Sequence, residues 1–385
     1  GSHITSKLYD KLVNHKLLPP LEQCLSTEND VDHAFLITQV NGIFTDADSP
    51  FRPVLDELPQ AWCEQILQQL PLPPAIRFKL TVAREERPEL FEHSLLLAAL
   101  TLYLCRRIGW DEVDTVCATT AALLHDIGIL HIDQKLFETG HTMNLEERRN
   151  LYAHPIISHM ILQAFAEYPP EVRLGVLQHH ERLDGSGYPK GLQGDEIGKI
   201  GQLLGVAELI GSRFRAGKGC TDCAQLDLIL KLNAQRLNAE YALHLKPFYK
   251  NIEPQAANRY SLERCRNNIF TLTTLFADWH SLSKIHQPID REERKQVELI
   301  QQEIKQLKKN LLQTGLVFDE RPQEGTDTSW LTDEPEHLAE VTFLLKEAGW
   351  QLSDLYYLLY RRWPNLNPSG ALHNWIERLP RLIAR

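Results

Sequence analysis

The residue types that could do chemistry crowd into one part of this 385-residue chain. Glu89 and His93 are one helical turn apart, so on a helix they project from a common face. His125-Asp126 ends the apolar run of "AALLHDIG", where Gly128 lets backbone and ligand approach closely. His154 precedes Pro155, His179 and His180 are adjacent, and Glu208 sits within "GVAELIG". Imidazole and carboxylate donors in this mixture suit first-row divalent metals, and carboxylates can bridge two ions. The donor set is large enough for two or three metals. Such a centre holds an anionic phosphate and lowers the pKa of a bridging water to make hydroxide, which is the chemistry of phosphoester hydrolysis.

Taken singly, these residues say little. A lone His93 or His154 on an apolar helix is more often a satisfied core residue than a ligand. His131, His141 and His159 lack partners at telling positions and are read as ordinary histidines. The pair Cys220 and Cys223 in "CTDC" has no second pair to complete a zinc or redox motif.

The elements that must position the donors read as helices throughout, with no convincing alternating strands, so the expected class is all-α. One helix starts at Pro88 and stops at Gly109; the next, "EVDTVCATTAALLHDIG", carries His125-Asp126. A third has an Asn144/Glu147 capping-box spacing and runs through "LEERRNLYAHPIISHMILQAF", placing His154 mid-helix. A fourth, "PEVRLGVLQHH", ends in His179-His180 and leads through the loop "ERLDGSGYPKGLQGDEIG" to "KIGQLLGVAELIGSRF".

This order of residues resembles the HD superfamily of metal-dependent phosphohydrolases. "HHERLDGSGYP", residues 179–189, matches the long HHExxDGxGYP signature of its HD-GYP subfamily, and the resemblance covers residues 84 to about 215. It implies an all-helical HD-domain bundle, two or three iron or manganese ions, and hydrolysis of cyclic di-GMP to linear pGpG or GMP. Carried over by position, Glu89, His93, His125, Asp126, His154, His179 and His180 match the metal ligands, with His125 and Asp126 at the catalytic centre. Tyr188, with Gly187, Pro189 and Asp184, matches the loop near the nucleotide.

Two departures bear on substrate. The family usually has "HDIGK", with a lysine that reaches the phosphate; here that position is Ile129. Phosphate binding must then rely on the metals or on Arg213, Arg215 or Lys218. Glu208 stands where the family has an aspartate, keeping the charge and adding one methylene. Three readings stay open: a cyclic di-GMP phosphodiesterase, a catalytically weak receptor or protein-interaction module, and a phosphohydrolase of another phosphoester.

The rest of the chain sets bounds. A formal charge of −10 disfavours nucleic acid and anionic membranes as partners, since both need a basic surface. No signal peptide or membrane span is expected, and seven scattered cysteines suit a reduced, cytoplasmic compartment. Prolines 71 to 74 suggest a boundary, giving an N-terminal helical region (4–80), the HD-GYP block (81–250) and a C-terminal helical region (251–385). In the last, Val297, Ile300, Ile304, Leu307 and Leu311 form a short coiled-coil-like seam that suits either an intramolecular hairpin or a homodimer. Separate helices are expected at "EHLAEVTFLLKEAG" and "LSDLYYLLYRRW". These outer regions could serve a regulatory partner.

Overall fold

The computed structural model describes residues 29–46, 49, 51–138, 140–212, 214–215, 219–220, 226–248, 261–316, 328–366, 368 and 370–381; for 214–215, 219–220 and 381 only the backbone is described. Among the described residues the regular elements are helices, apart from one antiparallel pair of two-residue strands, β1 (Phe214–Arg215) with β2 (Gly219–Cys220). The all-α expectation is met. Arg213, Lys218 and Cys223 lie outside the described residues.

The chain divides into two compact units, and the division does not fall at residues 80 and 250. The first holds the residues up to Thr142 with Asn150–Thr221 and Glu240–Phe248; the second holds Met143–Arg149, Asp222–Ala239 and the chain from Tyr249 onward. The helices before Pro74 therefore pack with the block that follows them.

In the first unit α1 (His33–Thr45) starts at Asp32, whose side chain accepts the Phe35 N–H, and α2 (Gln60–Gln68) follows. Edge-on rings run from Phe44 to Phe51, Phe248 and Tyr103, centroids 5.0 to 5.5 Å apart. Then come α3 (Pro74–Glu86), α4 (Pro88–Ile108) and α5 (Glu112–Leu124). Helix α4 is buried along nearly all of Ser94–Cys105, which is why its sequence is apolar all round rather than striped. The stretch Glu112–His131 has the length and hydropathy of a membrane span, but most of its most apolar window is buried as core.

The expected third helix is broken. Asn144 and Glu147 do form a reciprocal capping box, at 2.8 and 2.9 Å. However, α6 (Leu145–Leu151) stops, and a new helix, α7 (His154–Gln163), starts with Pro155 in its first turn. Proline needs no N–H partner there, so it begins a helix where mid-helix it would have broken the ladder. His154 is thereby moved from the expected helix interior to a helix start. Next are α8 (Pro170–Gln178) and α9 (Lys199–Gly211). Helix α4 packs on α5 and α9, and α8 packs on α5, α7 and α9.

The second unit contains α10 (Leu226–Leu232), α12 (Leu262–Ile285), α13 (Arg291–Gln313), α14 (Pro335–Arg362) and α15 (Gly370–Ile376); α11 (Ala239–Leu243) spans the division. Ile300, Ile304, Leu307 and Leu311 of the seam join one core cluster with Phe276, Trp279, Leu345 and Leu352. The seam is thus satisfied within its own chain. Helix α14 runs unbroken through Gly349, joining the two expected helices; a mid-helix glycine costs about 1 kcal/mol, which the burial of Leu345, Ala348 and Leu352 around it outweighs. Truncating Ile304 to alanine is expected to lower stability by about 2–5 kcal/mol with no change of oligomeric state, read by urea denaturation and by light scattering.

Candidate metal centre

Three histidines are held the same way. His125 is the C-cap of α5, His154 opens α7 and His179 is the C-cap of α8. In each ring Nδ1 faces the carbonyl three residues earlier: His125 to Ala122 at 2.7 Å, His154 to Leu151 at 2.6 Å, His179 to Val176 at 2.6 Å. A carbonyl only accepts, so Nδ1 carries the proton and the neutral ring's lone pair is on Nε2.

Those Nε2 atoms converge on one carboxylate. Asp126 Oδ1 lies 3.1 Å from His154 Nε2 and 3.6 Å from His179 Nε2, and Oδ2 lies 3.2 Å from His125 Nε2. His154 and His179 bring their Nε2 atoms within 3.3 Å of each other. Two lone pairs at that distance repel unless a cation or a proton lies between them. On the other side Glu208 Oε2 lies 3.0 Å from His93 Nε2 and 3.7 Å from His125 Nε2.

Two donor groups result, each with its ligand atoms within 4.8 Å of one another: Asp126, His154, His179 and His180, and His93, His125 and Glu208. His125 Nε2 and Asp126 Oδ1 are buried without a well-formed hydrogen bond. Orphaned buried acceptors of this kind are expensive unless something charged meets them. Nitrogen and carboxylate donors fit a first-row divalent ion, and Asp126, lying between the groups, is placed to bridge.

Charge follows geometry. Burial opposes ionisation of Asp126, yet His125 and His154 beside it hold its carboxyl well below the usual range. Glu208 is likewise buried, and His93 draws it down to about 2, while Glu208 in turn pushes the His93 imidazole up to about 9 against its own burial. Burial drives His179 down to about 4, and burial with the neighbouring His179 also lowers His180.

Glu89 is not gathered. It lies in the first turn of α4, a full turn outside His93, and is exposed, so the shared helix face expected for the pair does not carry it into either donor group.

The turn after Asp126 is pinned closely to α7. The Gly128 N–H donates to Ser158 Oγ at 2.8 Å, and a Cβ on Gly128 would lie 2.4 Å from the His154 carbonyl oxygen. Only glycine fits between the two donor-bearing segments. Ser158 was invisible in the sequence because a serine on a helix has no signature for this contact.

The glycine-rich loop is held by Glu181, which the sequence offers only as the E of the HHExxDGxGYP signature. Glu181 is 3 % exposed, and its two carboxylate oxygens accept the Lys190 and Leu192 N–H groups at 2.7 and 3.0 Å. Gly187 passes so near this segment that a Cβ would meet the Arg182 N at 2.3 Å. Tyr188, in a cis peptide with Pro189, stacks on His180 at 4.6 Å and meets Tyr152 on its other side at 4.2 Å. Asp184 Oδ1 accepts the Ser186 N–H and hydroxyl at 2.9 and 2.6 Å, closing the loop on itself. Ile129, 8 % exposed, lies in the turn after Asp126. The Arg215 side chain is outside the described residues.

Comparison with known proteins matches residues 81–237 to the family described as HD domain. This stretch is an HD domain. The HD block is similar to 3'3'-cGAMP-specific phosphodiesterase 3 of Vibrio cholerae, 32% identical over 30% of this chain and 25% of that one. It is also similar to the cyclic di-GMP phosphodiesterase PdeB of Borreliella burgdorferi, 36% identical over 30% of each chain. The chain thus spans under a third of the length of these relatives. A solved structure of an HDG"Y"P protein from Bdellovibrio bacteriovorus aligns with TM-score 0.38 at 17% identity, over 62% of this chain and 77% of that one.

Two outcomes follow. Glu181→Ala strips two backbone donors of their acceptor and is expected to cost about 2–4 kcal/mol in a denaturant titration. Metal must displace protons from imidazole Nε2 atoms, including the one Glu208 holds on His93 up to about pH 9. Manganese affinity measured by calorimetry should therefore be weaker at about pH 6 than at about pH 8; equal affinity would mean that the imidazoles are not the donors.

Proposed function

We propose that this chain is a metal-dependent phosphodiesterase that opens a cyclic dinucleotide, with cyclic di-GMP as substrate and linear pGpG or GMP as product. The observation that carries the reading is the convergence of His125, His154 and His179 Nε2 on buried Asp126. The printed names of the relatives agree with it in reaction class and in substrate class.

When bound, two or three iron or manganese ions supply the charge that holds the phosphate and activates water. His154, His179, His180 and Asp126 would hold one ion, and His93, His125 and Glu208 a second. The chain's own groups do the rest. The Ala122, Leu151 and Val176 carbonyls fix ring tautomer and direction, which is the orienting work second-layer partners do in metal sites. The Tyr188 ring covers one face of His180 and walls the loop side of the site. Arg213, Arg215 and Lys218 are the basic groups that the sequence offers to the phosphate in place of the missing lysine. A reducing, cytoplasmic compartment suits the buried free thiols Cys63, Cys105 and Cys265.

One observation favours a second reading. Ile129 puts a buried hydrocarbon where the family resemblance calls for a cation, which suits a domain that binds a cyclic dinucleotide with slow turnover, or one that takes another phosphoester.

Manganese- or iron-loaded protein should convert cyclic di-GMP to linear product, and Asp126→Ala should reduce kcat by about a hundredfold or more, as loss of a bridging ligand does. Binding without metal-dependent turnover would favour the receptor. Ile129→Lys adds a charged donor to the phosphate, worth about 1.5–3 kcal/mol, and should raise kcat/KM for cyclic di-GMP about tenfold or more. No gain would mean that the phosphate is already neutralised by other groups.

A further inference from the structure

The second unit has a groove of about 500 Å³ between α12 and α13. Its wall on α13 carries Lys305, Lys308 and Lys309, at helical spacings that place them on one face, and His280 adds to them from α12. Among the described residues no carboxylate lines it. Elsewhere on α13 a lysine has its counter-charge, Lys295 reaching Glu292 at 2.7 Å, but among the described residues none of the three groove lysines pairs with a carboxylate. Three unpaired ammoniums one turn apart repel one another, on a chain whose net charge is −10.

The other wall is aromatic and aliphatic. Phe276 and Trp279, each 3 % exposed, line it from the core, and Leu312 stands at the groove with more than half its surface exposed. The Lys308 ammonium lies 5.5 Å from the Phe276 ring centroid, and the Trp279 indole is fixed by its N–H donating to Gln301 Oε1 at 2.8 Å. Glu298 lines an adjoining depression that shares Gln301 and Lys305, which sets a negative charge toward the N-terminal end of α13. An anion is favoured at the Lys308 and Lys309 end.

We propose that this groove binds a nucleoside phosphate, with phosphates on the lysines and the base against Phe276, Trp279 and Leu312. The volume is within the range of small-molecule sites, and a few convergent charged groups on an apolar wall is how such sites discriminate. Planarity and charge are both needed, because the lysines alone would take any anion and the rings alone any apolar molecule.

The test is calorimetry on the full chain in EDTA, which leaves the imidazole–carboxylate centre without metal, using GTP, ATP and inorganic triphosphate as probes. A nucleotide should bind, the K305Q/K308Q/K309Q variant should bind it about tenfold or more weaker, and K295Q should bind it normally. Inorganic triphosphate should bind several-fold weaker than either nucleotide. The triple variant removes repulsion, so its melting temperature should hold or rise, separating lost binding from lost folding. Asp126→Ala should leave the affinity unchanged, which keeps this site apart from the proposed phosphodiesterase centre. No heat at about 1 mM nucleotide, full affinity in the triple variant, or triphosphate binding as tightly as nucleotide would overturn the proposal, as would capture of an acidic peptide where nucleotides fail.

Discussion

Asp126 sets the constraint on which the HD domain depends. A buried carboxylate is tolerated only where cations or strong donors surround it. Here three imidazoles do so, and each is itself fixed by a carbonyl one turn back along the chain. That fixation needs a histidine at or beside a helix terminus, where the ring folds back over the end of the chain segment before it. The first unit accordingly brings the ends of α5 and α8 and the start of α7 to one point. The helix packing, with α8 against α5, α7 and α9, is what makes three termini meet.

Close approach is maintained by a small number of contacts with no slack. Gly128 leaves room for the His154 carbonyl, and Ser158 ties the Asp126 turn to α7 by a hydrogen bond. Glu181 follows His180 directly and pins the far side of the loop through two backbone N–H groups. Each contact holds a histidine or the loop beside it in place. The stack of Tyr152, Tyr188 and His180 serves the same end at half-buried His180.

Helix starts with proline or a capping residue, and the stop at Gly109, were legible in the sequence because their signals are local. Most donors were legible too, since histidines and acids in apolar helices stand out and the GYP loop is a long motif. What failed was non-local. Pro155 could mean a disturbed helix or a new one, and only the packing of α7 on the Asp126 turn decides between them. Glu89 has the right spacing from His93, but whether a first-turn side chain points to the centre or to solvent depends on what packs over that turn. Glu181 and Ser158 act through backbone partners that leave no mark on residue type. The α13 seam permitted a dimer equally well until α12 and α14 were seen to fill it.

The charges left in the centre shape what it can bind. With Asp126 and Glu208 both held as carboxylates, their charge is met only by the imidazoles beside them, so the donor groups by themselves offer phosphate little net attraction. A lysine at position 129 would add a fixed positive charge; with isoleucine there, the proposed phosphate site depends on bound cations and on basic groups from elsewhere in the chain. In the proposed phosphodiesterase, phosphate binding is then linked to metal binding, and the linkage is reciprocal: an anionic substrate would tighten the metals by the factor that the metals tighten the substrate. A chain that keeps the donors and loses the fixed cation becomes more dependent on metal supply than one that has both. In such a site metal occupancy governs recognition as well as hydrolysis.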